Sequence, residues 1–240
     1  MSRVEYNILK KKYDAVGKGN VRLTQSTLKL LRGINPATTS YRFDVLENEG
    51  GAATAYETRL NINDEFNVSQ LGLYIAGNIL NEGQPNYMAQ KLWTFSPLEL
   101  SGRTTSFADF WNGKLKILVN NIVQLEKWDI GKHNYIPRGQ FIDNNPSFPV
   151  VPGTPPFQIA QQPHNNYIKD GMAVLTPMIT LSGAKKNDII IELPQAIIAQ
   201  QADWITEYMG AGVKDKVRIE FFDICLIARG FLAQNAAKFQ

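Results

Sequence analysis

Cysteine occurs once in the 240 residues, at Cys225, and histidine twice, at His133 and His164. One cysteine excludes an internal disulfide framework, and so sparse a set of Cys and His leaves no cluster that could hold a structural zinc. No run of about 18 apolar residues occurs, which excludes a transmembrane helix. The opening Met1-Ser2-Arg3-Val4-Glu5-Tyr6-Asn7 has no apolar segment of the kind a secretory signal needs, so synthesis in a cytoplasm is expected. G-x-S-x-G, P-loop, H-E-x-x-H and C-x-x-C motifs are all missing, and no nucleophile–base or paired-carboxylate arrangement stands out. The expectation is a chain that is not an enzyme and carries no cofactor or metal.

Apolar residues supply 44% of the chain and charged residues 20%, the balance of a folded globular protein. The length admits one large β domain or two of about 100 residues each. Asn (20) and Gln (14) are in excess and favour a polar, loop-rich surface. The net charge of +3 conceals an asymmetry. Residues 1–32 hold eight basic residues (Arg3, Lys10, Lys11, Lys12, Lys18, Arg22, Lys29, Arg32) against Glu5 and Asp14, a local +6, while the remainder sums to −3. A basic arm ahead of a near-neutral body predicts an anionic partner, lipid headgroups or nucleic acid. A solvated helix face is the competing reading.

Residues 3–16 have the pattern of a short helix, with Val4, Ile8 and the tyrosines Tyr6 and Tyr13 on one side and Lys10–Lys12 on the other. Gly33, Asn35 and Pro36 close this arm. Strand texture then runs through 41–46, 56–66, 71–75 and 91–96. A short aromatic helix is predicted over Phe107–Trp111, stopped by Gly113. Asn120-Asn121 marks a hairpin between 114–119 and 122–128. A strict two-residue turn there would mix polar and apolar residues on one face. An extra loop residue or a bulge would instead align Leu115, Ile117, Val119, Val123 and Leu125. Residues 137–163 hold seven of the twelve prolines, which predicts a long exposed connection serving contacts. Further strands are expected at 173–181, 188–193 and 213–231, with a helix over Gln195–Met209.

Two stretches share a layout: strand, proline (Pro97; Pro194), spacer, helix with Asp and Trp (Asp109 and Trp111; Asp203 and Trp204), glycine, then a pair of strands from Lys114 and Lys216. The prolines lie 97 residues apart and the tryptophans Trp111 and Trp204 lie 93 apart. This order predicts a mainly β fold of two tandem jelly-roll β-sandwiches, each with one inserted helix, plus a short N-terminal helix and arm. The domains would be 1–35 (basic helix and arm), 36–135 (first roll) and 136–240 (second roll, with the Pro-rich connection).

This layout resembles the double jelly-roll major capsid proteins of internal-membrane icosahedral phages, the tectivirus, corticovirus and adenovirus lineage, and most of all those of small lipid-containing flavobacterial single-stranded-DNA phages. The resemblance implies a structural virion protein. Three copies would form a pseudo-hexagonal capsomer, and capsomers would tile an icosahedral shell around an internal membrane. It implies self-association as a homotrimer, contacts with neighbouring capsomers and with minor capsid or penton proteins, and localisation in the virion. Arg3, Lys10, Lys11, Lys12 and Lys18 would face the membrane or inner surface, with direct nucleic acid contact left open. Pro146, Pro149, Pro152, Pro155 and Pro156 would make intersubunit contacts. Two alternatives remain: a single-roll accessory virion protein at a vertex or spike base, with residues 36–235 as one sandwich, and a ligand-binding β-sandwich outside any virus.

Other features carry little chemistry. Gly17-Lys18-Gly19 and Gly210-Ala211-Gly212 are expected to be turns and helix stops. His133 and His164 read as surface histidines, and Cys225 as a buried, inert thiol. Asn61-Ile62-Asn63-Asp64-Glu65 lacks the glycine and spacing of a calcium loop and reads as a polar strand end. Asn67-Val68-Ser69 is a formal glycosylation sequon. Trp93, Trp111, Trp128 and Trp204 are expected in the core.

Overall fold

The structure is a computed structural model; it describes residues 3–15, 21–35, 37–81, 84–94, 107–135, 171–197 and 217–239. Helix α1 (Arg3–Ala15) precedes strands β1 (Arg22–Gly33), β2 (Ser40–Phe43), β3 (Glu65–Asn81) and β4 (Gln84–Trp93). The short helix α2 (Phe107–Phe110) leads into β5 (Lys114–Val119) and β6 (Ile122–Asp129). A 3-10 turn, Ile130–His133, follows; then come β7 (Met172–Ser182), β8 (Asn187–Glu192), β9 (Val217–Gln234) and a second 3-10 turn, Ala236–Phe239.

These strands form two antiparallel sheets facing each other, a β-sandwich. One runs β1-β9-β3-β4, with β7 also paired to β3; the other runs β2-β8-β5-β6. With β4 set aside, the pairing is nested. The first strand pairs with the last (Arg22↔Gln234 through Gly33↔Asp223), the second with the one before the last, the third with β7, and β5 with β6. The core lies between the sheets because strand side chains alternate and each sheet has one apolar face. Leu28, Leu30, Phe66, Val68, Leu71, Leu73, Ile75, Ile224 and Leu226 come from one sheet; Tyr41, Phe43, Leu115, Ile117, Ile189 and Ile191 come from the other. Each fully buried large side chain contributes about 1.5–3 kcal/mol.

Alternation in β3 slips by one residue. Against β9, Val68 pairs with Gly230 and Gln70 with the adjacent Arg229, so Ser69 is an extra, bulged residue; against β7 the ladder breaks at the same place, with Leu175–Met178 of β7 looping out. The bulge lets Val68 and Leu71 both face the core although they are three positions apart. The Ser69 hydroxyl donates to the Arg229 carbonyl at 3.3 Å and occupies that backbone acceptor.

The described strands do not divide into tandem halves at 135/136. β2 and β5 both pair with β8, and β3 pairs with β7 and β9, so each sheet mixes strands from both predicted rolls. The predicted arm 1–35 is also revised: its second part is β1, the edge strand beside β9. The two similar stretches of sequence do not fold alike where both are described: Lys114–Asp129 holds the hairpin of β5 and β6, whereas Val217–Gln234 is the single strand β9. Where the first inserted helix was expected, over Phe107–Trp111, the chain makes the four-residue α2, after which Gly113 N–H donates to the Phe110 carbonyl at 3.1 Å. Gln195–Ile197 is not helical, and 198–216 lies outside the described residues.

Two further expectations change. Residues 71–75 belong to one 17-residue strand, β3. The predicted strand at 56–66 is mostly irregular, with isolated bridges at Thr58 and Leu60, and only Glu65 and Phe66 are strand, the start of β3. An interior ion pair takes its place. The Glu57 carboxylate accepts from Leu31 N–H (3.2 Å), Thr54 N–H (2.9 Å) and Arg59 (3.2 Å), and Arg59 donates to the carbonyls of Glu49 (2.7 Å) and Gly51 (2.9 Å). These bonds hold the loop against β1 without a ladder.

At the β5–β6 hairpin, Asn120 (φ 53°) and Asn121 (φ 63°) form the two-residue turn, closed by Val119↔Ile122. The bulges lie in β6, where Ile117 comes to face Leu125 and Leu115 comes to face Trp128. Val123 pairs with Leu118 instead and is exposed, so of the five residues expected to align, Leu115, Ile117, Val119 and Leu125 face the core and Val123 does not.

Candidate functional site: the basic helix and its seat

Helix α1 could bury either of two faces, because Val4/Ile8 and Leu9/Tyr13 are each spaced i, i+4. The structure buries Leu9 (3% exposed) and Tyr13 (2%) and leaves Val4 (65%) and Ile8 (55%) in solvent. The side expected to be apolar is thus divided: Tyr13 is buried, while Val4 and Ile8 face solvent. Leu9 and Tyr13 rest on Phe231, Ala233 and Ala236, on the outward side of the sheet containing β9. Tyr6 adds a tilted ring contact to Phe231 with centroids 6.2 Å apart.

Polar groups beneath the helix explain the choice. The Tyr13 hydroxyl donates to Glu65 Oε2 at 2.8 Å and accepts from Asn67 Nδ2 at 2.9 Å. Asn67 Oδ1 accepts from the Thr180 hydroxyl at 2.8 Å, which in turn accepts from Lys12 Nζ at 3.2 Å. Glu65 and Asn67 are buried on β3, and their outward direction follows from the inward placement of Phe66 and Val68 between and beside them. A helix offering Val4 and Ile8 to this seat would leave both polar side chains without the phenol, and buried polar groups are costly when unpaired. Burial raises the Tyr13 phenol above its ordinary pKa, with Glu65 adding to the shift and the Asn67 bond opposing it, so it stays a protonated donor at neutral pH.

Arg3, Lys10, Lys11 and Lys12 are all exposed on α1, and Lys12 alone among them is tied back, through Thr180 and over the Tyr13 ring at 5.6 Å. Lys11 falls on the same side as Val4 and Ile8, seven and three positions on. The free face is therefore two aliphatic side chains beside a cation. Lys18 and the five prolines Pro146, Pro149, Pro152, Pro155 and Pro156 lie outside the described residues. No described helix is long and apolar enough to cross a membrane.

Other sequence candidates find structural roles. Asn61 Oδ1 accepts from Asn63 N–H at 3.0 Å, and Asp64 Oδ1 accepts from Asn235 N–H at 2.8 Å, so the oxygen-rich stretch pins the C-terminal turn. The sequon asparagine Asn67 is 1% exposed and holds the helix seat. Cys225 is buried, and that burial pushes its thiol up to about 12. Trp111 is buried, and Trp93 and Trp128 pack on the core; Trp204 lies outside the described residues. The sequence reading missed Tyr13, Glu65, Asn67 and Thr180 as a group, because 54 to 167 positions separate Tyr13 from Asn67 and Thr180.

Tyr13→Phe is expected to lower stability by about 1–3 kcal/mol, since it takes a partner from two buried polar groups at once. Lys10→Glu and Lys11→Glu, on exposed positions, are expected to change it by less than about 0.5 kcal/mol. Urea denaturation of the three variants checks both statements.

Comparison of the chain with protein-family models, curated proteins and solved structures finds no match.

Proposed function

We propose that this chain is a structural virion protein built on one jelly roll, a shell subunit that works by self-association. The observation that carries the reading is the nested strand order, β1-β9-β3-β7 facing β2-β8-β5-β6, which is the order of an eight-stranded jelly roll with β4 as an addition. Fold alone does not assign function. The second support is the basic helix α1, held on the outside of one sheet by a specific polar seat and presenting Val4, Ile8 and Lys11. A pair of aliphatic side chains among cations suits a helix lying on an anionic lipid surface better than one bound to nucleic acid, where charge alone would serve. Arg3, Lys10 and Lys11 would each contribute about 1 kcal/mol near such a surface, and many copies on one shell would multiply it.

The pseudo-hexagonal capsomer belongs to a tandem pair of rolls. Three copies of a single roll present three lobes, so that part of the expected assembly does not carry over. Self-association through polar loops does: many small, wet contacts allow reversible, self-correcting assembly.

Mass measurement with negative-stain microscopy of the purified chain tests the proposal. Closed shells or curved arrays are expected; monomers at every concentration and salt would overturn it. For the helix, the double variant Lys10→Glu, Lys11→Glu is expected to assemble normally and to lose retention on vesicles of phosphatidylglycerol and phosphatidylcholine. Undiminished retention would remove α1 from the lipid contact.

A further inference from the structure

His133 was expected at the surface, and it is fully buried at the end of the Ile130–His133 turn. Its Nδ1 lies 2.8 Å from the Gly171 carbonyl oxygen, and its Nε2 lies 3.0 Å from Trp128 Nε1. An indole N–H only donates, so Nε2 must be the nitrogen with the free lone pair. A carbonyl only accepts, so Nδ1 must carry the proton. Both bonds can be made only by the neutral ring in this one tautomer.

The two partners matter because of where they sit. Trp128 is on edge strand β6, and Gly171 immediately precedes β7. Residues 133 and 171 are 38 positions apart in the chain, so the imidazole joins two segments that are distant in sequence. The tip of β4 adds to the junction: Tyr135 N–H donates to the Thr94 carbonyl at 2.9 Å, and the Thr94 hydroxyl donates to the Tyr135 carbonyl. Gly171 has φ +71°, and a Cβ there would stand 2.7 Å from Thr94 Cγ2 and 3.3 Å from the His133 carbonyl oxygen, so the close approach requires glycine.

We propose that His133 is a proton-operated clasp: the neutral ring fastens the end of β6 and the turn after it to the start of β7, and the protonated ring releases them. Protonation at Nε2 turns the Trp128 bond into two opposed N–H groups in a buried site. The charged groups acting on the ring are Lys132, whose ammonium lies 4.3 Å over the Trp128 ring, and Asp129, which accepts from Gly131 N–H. Burial, the largest effect, and Lys132 lower the imidazole below its ordinary range; the Gly171 bond and Asp129 oppose them. The unfolded chain therefore takes up the proton first. The stability due to the neutral ring is complete above about pH 6.5 and is lost as pH falls through the lower folded value. For each unit of lowering, the clasp weakens about tenfold between the two protonation states. The inference does not depend on the virion reading.

Ring-nitrogen NMR on full-length His164→Gln, which leaves His133 as the one histidine, tests it. The Nδ1–H tautomer is expected at pH 7.5. Below pH 6.5 a single transition should move the ring, the Trp128 indole N–H and the first amides of β7 together, with amide exchange corrected for pH rising at least about tenfold. His133→Gln can accept from Trp128 and donate to Gly171 without titrating, and it is expected to keep those amides protected at pH 5. The Nε2–H tautomer at neutral pH, or titration of the ring with no change at Trp128 and β7, would overturn the proposal. Both are read on the His164→Gln protein itself, whether or not the glutamine variant folds.

Discussion

Expressed separately, residues 1–135 and 136–240 are expected to be unfolded, and to gain dispersed amide spectra only when mixed. The reason is the position of the returning strands. β9 lies between β1 and β3, and β8 lies between β2 and β5. Without the second fragment, both sheets of the first lose a central strand. Phe43, Phe66, Leu115 and Ile117 would then face water, although each is at most 1% exposed in the intact fold. Backbone groups of β1, β2 and β5 would lose their ladder partners at the same time. The whole folding free energy, about 5–15 kcal/mol for a domain, is at stake. Circular dichroism and amide spectra of each fragment, alone and mixed, measure it. A fragment that melts cooperatively by itself would restore the tandem-roll arrangement.

Gly230→Ala is expected to be among the most damaging single substitutions, costing about 3 kcal/mol or more. Gly230 lies in the middle of β9, opposite Ser26 on one side and Val68 on the other. A Cβ there would come 1.9 Å from the Asn67 carbonyl oxygen and 2.8 Å from its carbon, atoms of backbone that no rotamer change can move. The strand that would have to yield is β3 beside its bulge, and Asn67 also holds Tyr13, so the helix seat would be disturbed along with the sheet. Gly51→Ala is the control. A Cβ there meets nothing within 4 Å, so its denaturation midpoint should stay within about 0.5 kcal/mol of the parent. Equal midpoints for the two variants would mean that β3 and β9 do not approach as closely as described.

Much of the local structure is legible in the chain. Asn120-Asn121 announces its hairpin because asparagine tolerates the positive φ that both turn residues adopt. The alternation in 41–46 and 114–119 and the apolar run around Cys225 identify strands of β2, β5 and β9. β1 is hidden because Thr24-Gln25-Ser26-Thr27 puts polar side chains on both faces of its first half, which lies at a sheet edge where little must be buried. The extent of β3 is hidden by its own bulge, since one extra residue at Ser69 breaks the period of two on which strand reading rests.

By itself, then, the sequence determines a mainly β chain with a basic helix at its start and tight turns in recognisable places, because these depend on residues a few positions apart. It does not determine how the strands pair into two sheets, since neighbouring strands such as β1 and β9 are separated by about the full length of the chain. Nor does it determine which side of α1 is covered: Val4/Ile8 and Leu9/Tyr13 are equivalent by spacing. Glu65 and Asn67, brought under the helix by folding, select Tyr13 because one phenol there donates to the first and accepts from the second. His133 follows the same logic, since its buried neutral state is set by Trp128 on one strand and Gly171 at the start of another.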